Sequence, residues 1–149
     1  MTTLYALQKS VCSALREAEY LRAHGICVLA EDEGNVLFDR AAAFARTHLA
    51  VSVGVAEFTP SSRSAHTPGI AGMARLAVRV WEEPSRNRVG QSRAGPAAAE
   101  VVEAVACTVH LLQCCGGTLV FTGIGGVVRH DDTTIVREAG FEIFTKLAI

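Results

Sequence analysis

The sequence predicts an α+β fold in which a single mixed or antiparallel sheet of about five strands has two main helices packed on one face. Within 4–21, apolar residues recur at steps of three and four, the period of an amphipathic helix. Within 51–56, valine alternates with small residues, which is typical of a strand, and a second helix is expected after Pro96. The 149-residue chain can bury one core, and we predict one domain, 1–149.

The first third of the chain is predicted to form a helix followed by a strand. Thr2 or Thr3 can cap the helix, and Gly25 is the kind of residue at which helices end. The run 26–30 is short, apolar and partly β-branched, which predicts a buried strand. A polar turn follows it, and residues 41–46 favour a short helix by propensity.

The middle of the chain predicts a hairpin with a long connection. The strand at 51–56 has one bulky face, and a second strand at 73–81 alternates apolar residues with arginine and alanine. Between them, the loop 59–70 is rich in serine, proline and glycine. Because a loop of this length without structure of its own is usually functional or disordered, we expect it to project from the sheet.

The second half begins with another polar loop, 83–95. We expect the carboxylates of the Glu82–Glu83 pair, just before a proline in this loop, to be solvated. A long helix is predicted at 97–115, because an alanine- and valine-rich run is closed by two glycines. Two strands, at 118–124 and 135–147, then complete the sheet.

Composition favours a protein that covers part of its surface with partners. Hydrophobic residues make up 50% of the chain and charged residues 19%, where about 25% charged is usual. A small domain so poor in charge tends to bury some of its exterior. The formal net charge of −1 gives no long-range attraction to nucleic acid or to an anionic membrane. No segment approaches the ~18 uninterrupted apolar residues of a membrane span.

The N-terminus and the cysteines indicate the expected compartment. The first residues lack the basic start and the apolar block of a secretion signal, so we expect synthesis in the cytoplasm. The five cysteines are scattered, and none belongs to a Cys-x-x-Cys pair. This pattern favours reduced thiols over a disulfide framework.

Two motifs in the last third admit both a chemical and a structural interpretation. The glycine-rich run 123–126 is followed by residues typical of a strand, whereas a dinucleotide fingerprint needs a helix at that point. We therefore predict a bulge or bend in a sheet. The sequence His130-Asp131-Asp132 contains metal-ligand residue types, but the two acids followed by threonine favour a turn between strands.

The predicted second helix supplies the remaining ligand candidates. Four residues step by four, three and four along it and so share one helical face: Glu103, Cys107, His110 and Cys114. Thiolate and imidazole suit zinc, but residues over three turns span ~16 Å and cannot surround one ion. A small metal- or ligand-binding module using Cys107, His110 and His130 is therefore kept as the alternative function. No Gly-x-Ser-x-Gly elbow is present. Each cysteine could pair with a distant histidine, but no local pattern singles one out, so a thiol-dependent or nucleotide-using enzyme is the third hypothesis.

The loop 83–95 contains three arginines, Arg86, Arg88 and Arg93. They could contribute salt-dependent, sequence-independent affinity for a phosphate backbone. No aromatic residue is interleaved with them to stack on bases, and a solvated loop is the simpler interpretation. If the protein lines a DNA conduit, we expect this loop to make the non-specific contact with DNA.

The order of these elements resembles a known family over nearly the whole chain. An early amphipathic helix is followed by a valine-rich strand at 51–55 and, after the Ser/Pro/Gly loop, by the strand 76–81. An alanine- and valine-rich helix at 98–102 and a late strand at 141–144 complete the pattern. This order is similar to that of the tail-terminator and tail-completion (minor tail) proteins of tailed phages, prophages and related contractile particles.

The resemblance implies a structural protein and not an enzyme. It implies a small α/β fold and hexameric rings that stop tail-tube growth and join the tail to the head side, without an obligatory cofactor. The implied partners are further copies of the chain and tail-tube, sheath or head–tail connector proteins. The implied location is the host cytoplasm during assembly, then the virion or tail-like particle. A ring built from one repeated heterologous contact would cover small apolar residues outside the core and leave the two loops at the lumen or an end face. We expect these loops to contact the neighbouring subunit or the tail tube. Six loop residues are the candidate oligomer or partner contacts: Arg63, His66, Ile70, Arg86, Arg88 and Arg93.

Overall fold

The computed structural model describes residues 2–33, 41–44, 46–62 and 68–148. Its main helices are α1 (Thr3–Glu17), α2 (Glu19–Ala23) and α3 (Ala98–Val109). Residues 41–44 and 46 are also helical, as predicted, and Pro84–Arg86 form one 3₁₀ turn. No helix in this part of the chain is long and apolar enough to span a membrane.

One mixed sheet of seven strands dominates the fold. Its strands are β1 (Cys27–Ala30), β2 (Leu49–Val53), β3 (Glu57–Pro60), β4 (Ile70–Glu82), β7 (Val120–Ile124), β8 (Val128–Arg129) and β9 (Ile135–Leu147). The order is β1-β2-β4-β9-β7, with β3 beside β4 and β8 beside β9, and only the β1–β2 pair is parallel. A separate hairpin joins β5 (Gln113–Cys114) to β6 (Gly117–Thr118). The predicted α+β class is confirmed.

The ladder between β4 and β9 organises the sheet. The strands pair over their full lengths, from Ile70 opposite Leu147 to Glu82 opposite Ile135. Since side chains alternate between faces, β4 and β9 each present one apolar row to the core. That core also contains buried residues of α1 and α3: Leu7, Val11, Leu15, Val101, Val102 and Val105. Helices α1 and α3 therefore cover one face of the sheet, as the sequence predicts.

The first helix is interrupted where a single helix was predicted. Ala18 has extended dihedral angles, φ −63° and ψ 124°, so α1 ends at Glu17 and α2 begins at Glu19. This break lets the chain change direction while Leu21 is still fully buried. Gly25 ends the helical region with φ +64°, a conformation that glycine adopts without strain.

The hairpin of the middle region is confirmed, but its boundaries differ from the prediction. Strand β2 ends at Val53, and Val55, which was assigned to the strand, lies beyond it and is 58% exposed. Both faces of β2 are buried, because Ala50 packs against the helical segment at Ala43 and Phe44. The connection between the two strands is also shorter than predicted, because its first residues belong to β3, which pairs with the first half of β4.

The predicted extension of the second helix to Cys115 is wrong. Helix α3 ends at Val109, and Leu111 turns the chain with φ +66°, its N–H donating to the Leu119 carbonyl. Leu119 is fully buried, and its packing in the core requires the chain to turn back toward the sheet after α3. Cys115 and Gly116 form the hairpin turn, both with positive φ, as two-residue turns of this type require.

Candidate assembly surfaces

The loop 83–95 is anchored to the domain by buried polar groups. Glu82, 4% exposed, accepts a hydrogen bond from the Ala98 N–H at 2.9 Å, at the start of α3. Asn87, also buried, donates from Nδ2 to Glu82, to the Gly95 carbonyl and to the Pro96 carbonyl, and its Oδ1 accepts the Gly95 N–H at 2.8 Å. The expectation that Glu82 is solvated is therefore wrong.

The tip of this loop, residues 88–92, is a preformed turn that we call the finger. Val89 and Ser92 exchange backbone hydrogen bonds of 2.8 and 3.1 Å, and Gly90 has φ +62°. Val89 is 70% exposed, more than any other large apolar side chain among the described residues. Arg88 is exposed and makes no hydrogen bond or ion pair within the described residues.

The predicted contact residues have different surroundings. Arg86 pairs with Glu83 and donates to the Phe44 carbonyl, whereas Arg93 pairs with Glu100 of α3. These ion pairs help to fix the loop and leave Arg88 as its unpaired arginine. Ile70 begins β4 and is 47% exposed, at the other end of the sheet. Arg63 and His66 lie outside the described residues.

The face of the sheet away from α1 and α3, which we call the outer face, has a chain of hydrogen bonds across three strands. The Trp81 indole N–H donates to Ser52 Oγ at 2.9 Å, and the Ser52 hydroxyl donates to Glu31 at 2.7 Å. Arg79 bonds Glu31 through Nη1 and pairs through Nε with Glu138 at 3.1 Å. Each of these polar groups has a partner, which fixes the positions of the charges on this face.

Beside this chain of hydrogen bonds, the outer face forms an open groove of about 560 Å³. Its floor includes Gly54, Ala77 and Gly140, and the absence of any side chain larger than a methyl group leaves room above the strands. A methyl group on Gly140 would lie 2.7 Å from Thr122 Oγ1, so this position is tight for any larger residue. Around the floor lie the charged residues of the groove: Glu31, Glu57, Arg75, Arg79 and Glu138.

The β7 edge of the sheet exposes apolar side chains. Val120, Val128 and Phe144 are all exposed along this edge and the adjoining end of β9. The Phe121 N–H is bonded to His110 Nδ1 at 3.1 Å, so the edge is partly closed by a side chain. Exposed apolar residues together at a sheet edge are typical of surfaces covered in an assembly.

The residues of the alternative metal-site prediction do not converge. His110 bonds β7, whereas His130 stacks edge-on against Trp81 with ring centroids 5.0 Å apart. Cys107 is exposed on α3, and Cys114 lies on β5 and not on the predicted helical face. Among the described residues, no three or more His, Cys, Asp or Glu residues form a group that could hold a metal ion.

The thiols described here are free and include two of low reactivity. Burial raises the pKa of the Cys114 thiol to about 11, and the neighbouring Cys115 adds to that shift. Burial also raises the pKa of Cys12. Because the thiolate is the nucleophile, these environments disfavour nucleophilic catalysis by either thiol.

Both motif predictions in the last third are confirmed as structural. A bulge interrupts the β7–β9 register between Phe121 and Gly123, and β8 follows the glycines in place of a helix. The Asp131 carboxylate accepts the N–H groups of Thr133 and Thr134 at 2.9 and 2.8 Å, which closes a turn. These bonds, above all that from the Thr133 N–H, lower the pKa of Asp131.

The sequence contains a signal for the buried Glu82–Asn87 cluster, which was not predicted. Glu82 continues the alternation of Val78 and Val80, which places it on the core face of β4. A carboxylate at such a position needs buried hydrogen-bond donors. The helix beginning one loop later supplies one of these donors.

Comparison with solved structures finds the same fold elsewhere. The chain matches a chain of the "Virion of native gene transfer agent (GTA) particle" with a TM-score of 0.64 and 17% identity, covering 95% of this chain and 96% of that one. A second solved structure, whose name states no function, matches with a TM-score of 0.51 and 12% identity over 95% and 94% of the two chains. No protein-family model matches, and neither does a curated protein. At these identities the likeness establishes a shared fold.

Proposed function

We propose that this chain is a structural protein of a virion or tail-like particle, and specifically a tail-terminator or tail-completion protein. In this role it forms a ring, of six subunits by the family resemblance, that caps the tail tube and joins the tail to the head side. The observation on which the proposal depends is the full-length fold match to a chain of a gene transfer agent virion. The order of elements in the sequence resembles that of tail-terminator and tail-completion proteins.

The surfaces of the chain fit a role in assembly better than one in catalysis. The loop 83–95 presents a preformed tip, and exposed apolar residues line the β7 edge. The thiols with raised pKa values are poor nucleophiles. A repeated heterologous contact would cover the projecting loop and the apolar edge together.

The proposed partners are further copies of the chain and the tail-tube, sheath or head–tail connector proteins. Non-specific, salt-dependent contact with DNA in the ring lumen is a further proposed interaction. The chain would reside in the host cytoplasm during assembly and in the particle afterwards.

The proposal is tested by disrupting the gene in the source organism and imaging the particles that remain. We expect tails of uncontrolled length or tails without heads, and complementation with the intact gene should restore normal particles. Antibody labelling of intact particles should place the chain where tail and head meet. Normal particles after disruption, together with no labelling of intact ones, would refute the proposal.

A further inference from the structure

We infer that the finger of one copy binds in the outer-face groove of a second copy, with Arg88 directed toward Glu57. The choice of a second copy as the occupant rests on the proposed function, in which the chain forms a ring. The finger is residues 88–92, and the groove is the cleft above Gly54, Ala77 and Gly140.

The finger has the properties of a donor element. Its residues, Arg-Val-Gly-Gln-Ser, include one cation and no acid. Arg88 is unpaired within the described residues, and Val89 beside it is 70% exposed. The reciprocal Val89–Ser92 bonds and the buried Asn87 hold this tip in one conformation before it binds. Preorganisation lowers the entropic cost of association.

The groove has the complementary charge. Four carboxylates and two guanidinium groups lie in or beside it, a formal charge of −2: Glu31, Glu57, Glu138 and Glu142 with Arg75 and Arg79. Arg79 is shared between two of the acids, and Arg75 pairs with Glu142. Glu57 has no ion pair within the described residues and is exposed. It is therefore the carboxylate available to an incoming cation.

The groove cannot be filled by the finger of the same chain. The finger lies near Ala97 and Ile135, at the end of β4 where Glu82 stands. The groove is centred on Ala77, five residues back along β4, a distance of ~16 Å at the rise of a strand. A finger that enters the groove must therefore come from another copy.

Such a contact is head-to-tail, because the donor and the acceptor are different surfaces. Repetition of one heterologous contact generates a ring if the rotation closes and a filament if it does not. The complementary charges also disfavour contacts of finger with finger and of groove with groove, because those contacts would bring like charges together.

The test uses two charge reversals in the full chain, Arg88→Glu and Glu57→Arg, studied by sedimentation velocity under reducing conditions. Wild-type protein should associate beyond the dimer as its concentration rises. Each single variant should self-associate at least ~10-fold more weakly, and the double variant should recover association. Lys146→Glu is the control for Arg88→Glu, because it makes the same charge change on an exposed residue at the opposite end of the β4–β9 ladder.

A mixture of the two single variants provides the sharper result. The variant with Arg88→Glu retains an intact groove, and the variant with Glu57→Arg retains an intact finger. Equimolar mixing should therefore restore association beyond the dimer, with the two variants alternating, because both the intact pair and the reversed pair of surfaces join opposite charges. A wild-type chain that stays monomeric at every concentration, or single variants that assemble like wild type, would overturn the inference.

These outcomes separate the inference from the proposed function. If the single variants assemble normally while gene disruption still alters tail length, the contact is wrong and the function stands. If the charge-swap pattern appears while particles lacking the gene are normal, the contact stands and the function is wrong.

Discussion

The carboxylate of Glu82, at the last position of β4, lies 2.9 Å from the backbone nitrogen of Ala98, the first residue of α3. A helix N-terminus has unsatisfied N–H groups and a partial positive charge, so it stabilises a carboxylate both by a hydrogen bond and by electrostatic attraction. The residue at the N-cap position, Ala97, has no side chain that could accept such a hydrogen bond. A strand residue thus caps the helix from outside and closes the loop between them.

We predict that Glu82→Gln lowers the free energy of unfolding by about 1–3 kcal/mol. The substitution removes the charge at the helix terminus and replaces one acceptor oxygen by an amide donor, which conflicts with either the Ala98 N–H or the Asn87 amide. Urea unfolding followed by circular dichroism measures the change. Glu103→Gln, on the exposed surface of α3, is the control and should stay within about 0.5 kcal/mol of wild type. Equal stability of the two variants would contradict this account of Glu82.

The second prediction concerns Asn87→Ala, which should loosen the finger without unfolding the sheet. The variant removes the side-chain oxygen that accepts the Gly95 N–H and the amide that donates to the buried oxygens around it, which lowers the free energy of unfolding by about 1–3 kcal/mol. Hydrogen exchange should accelerate at the amides of Ser92 and Gly95, while the amides of the β4–β9 ladder keep their protection. The exposed Gln91→Ala should change neither. Uniform loss of protection across the sheet would mean that Asn87 supports the whole fold and not the loop.

Elements with strong periodicity could be predicted from the sequence. The stripe of α1, the alternation in β4 and the final strand β9 all lie where the residue pattern places them. In each case a continuous core face requires the pattern, so the pattern alone is informative.

Elements determined by tertiary contacts could not be predicted. The sequence around Val109 continues to favour helix, yet the chain leaves α3 there because Leu119 is buried and bonds back to Leu111. The groove depends in the same way on Gly54 and Gly140, which are distant in sequence and meet only when the strands pair. Local propensity contains no information about either feature.

The third prediction is that Gly123→Ala destabilises the protein by about 1–3 kcal/mol. Gly123 has φ +152° in the β7 bulge, a conformation that residues with a side chain rarely adopt. An added methyl group would meet nothing within 4 Å, so any loss of stability comes from the backbone and not from a clash. Gly126→Ala is the control, because that site is equally open and has no such φ. If both variants unfold at the same urea concentration, the bulge imposes no such requirement.

The last prediction concerns the turn closed by Asp131. Its folded-state pKa is held below the ordinary value of 3.8, chiefly by the Thr133 N–H, so folding favours the charged carboxylate. The resulting stabilisation is present above that ordinary value and is lost as the pH falls through the lower folded-state pKa. Nuclear magnetic resonance between about pH 6 and pH 2 should show the Thr133 and Thr134 amide signals moving with a midpoint below 3.8. Asp131→Asn should remove this titration while its amide oxygen still accepts both N–H groups, and Asp132→Asn should leave it unchanged. A midpoint at or above 3.8 in the wild type would show that the hydrogen bonds do not favour the charged carboxylate.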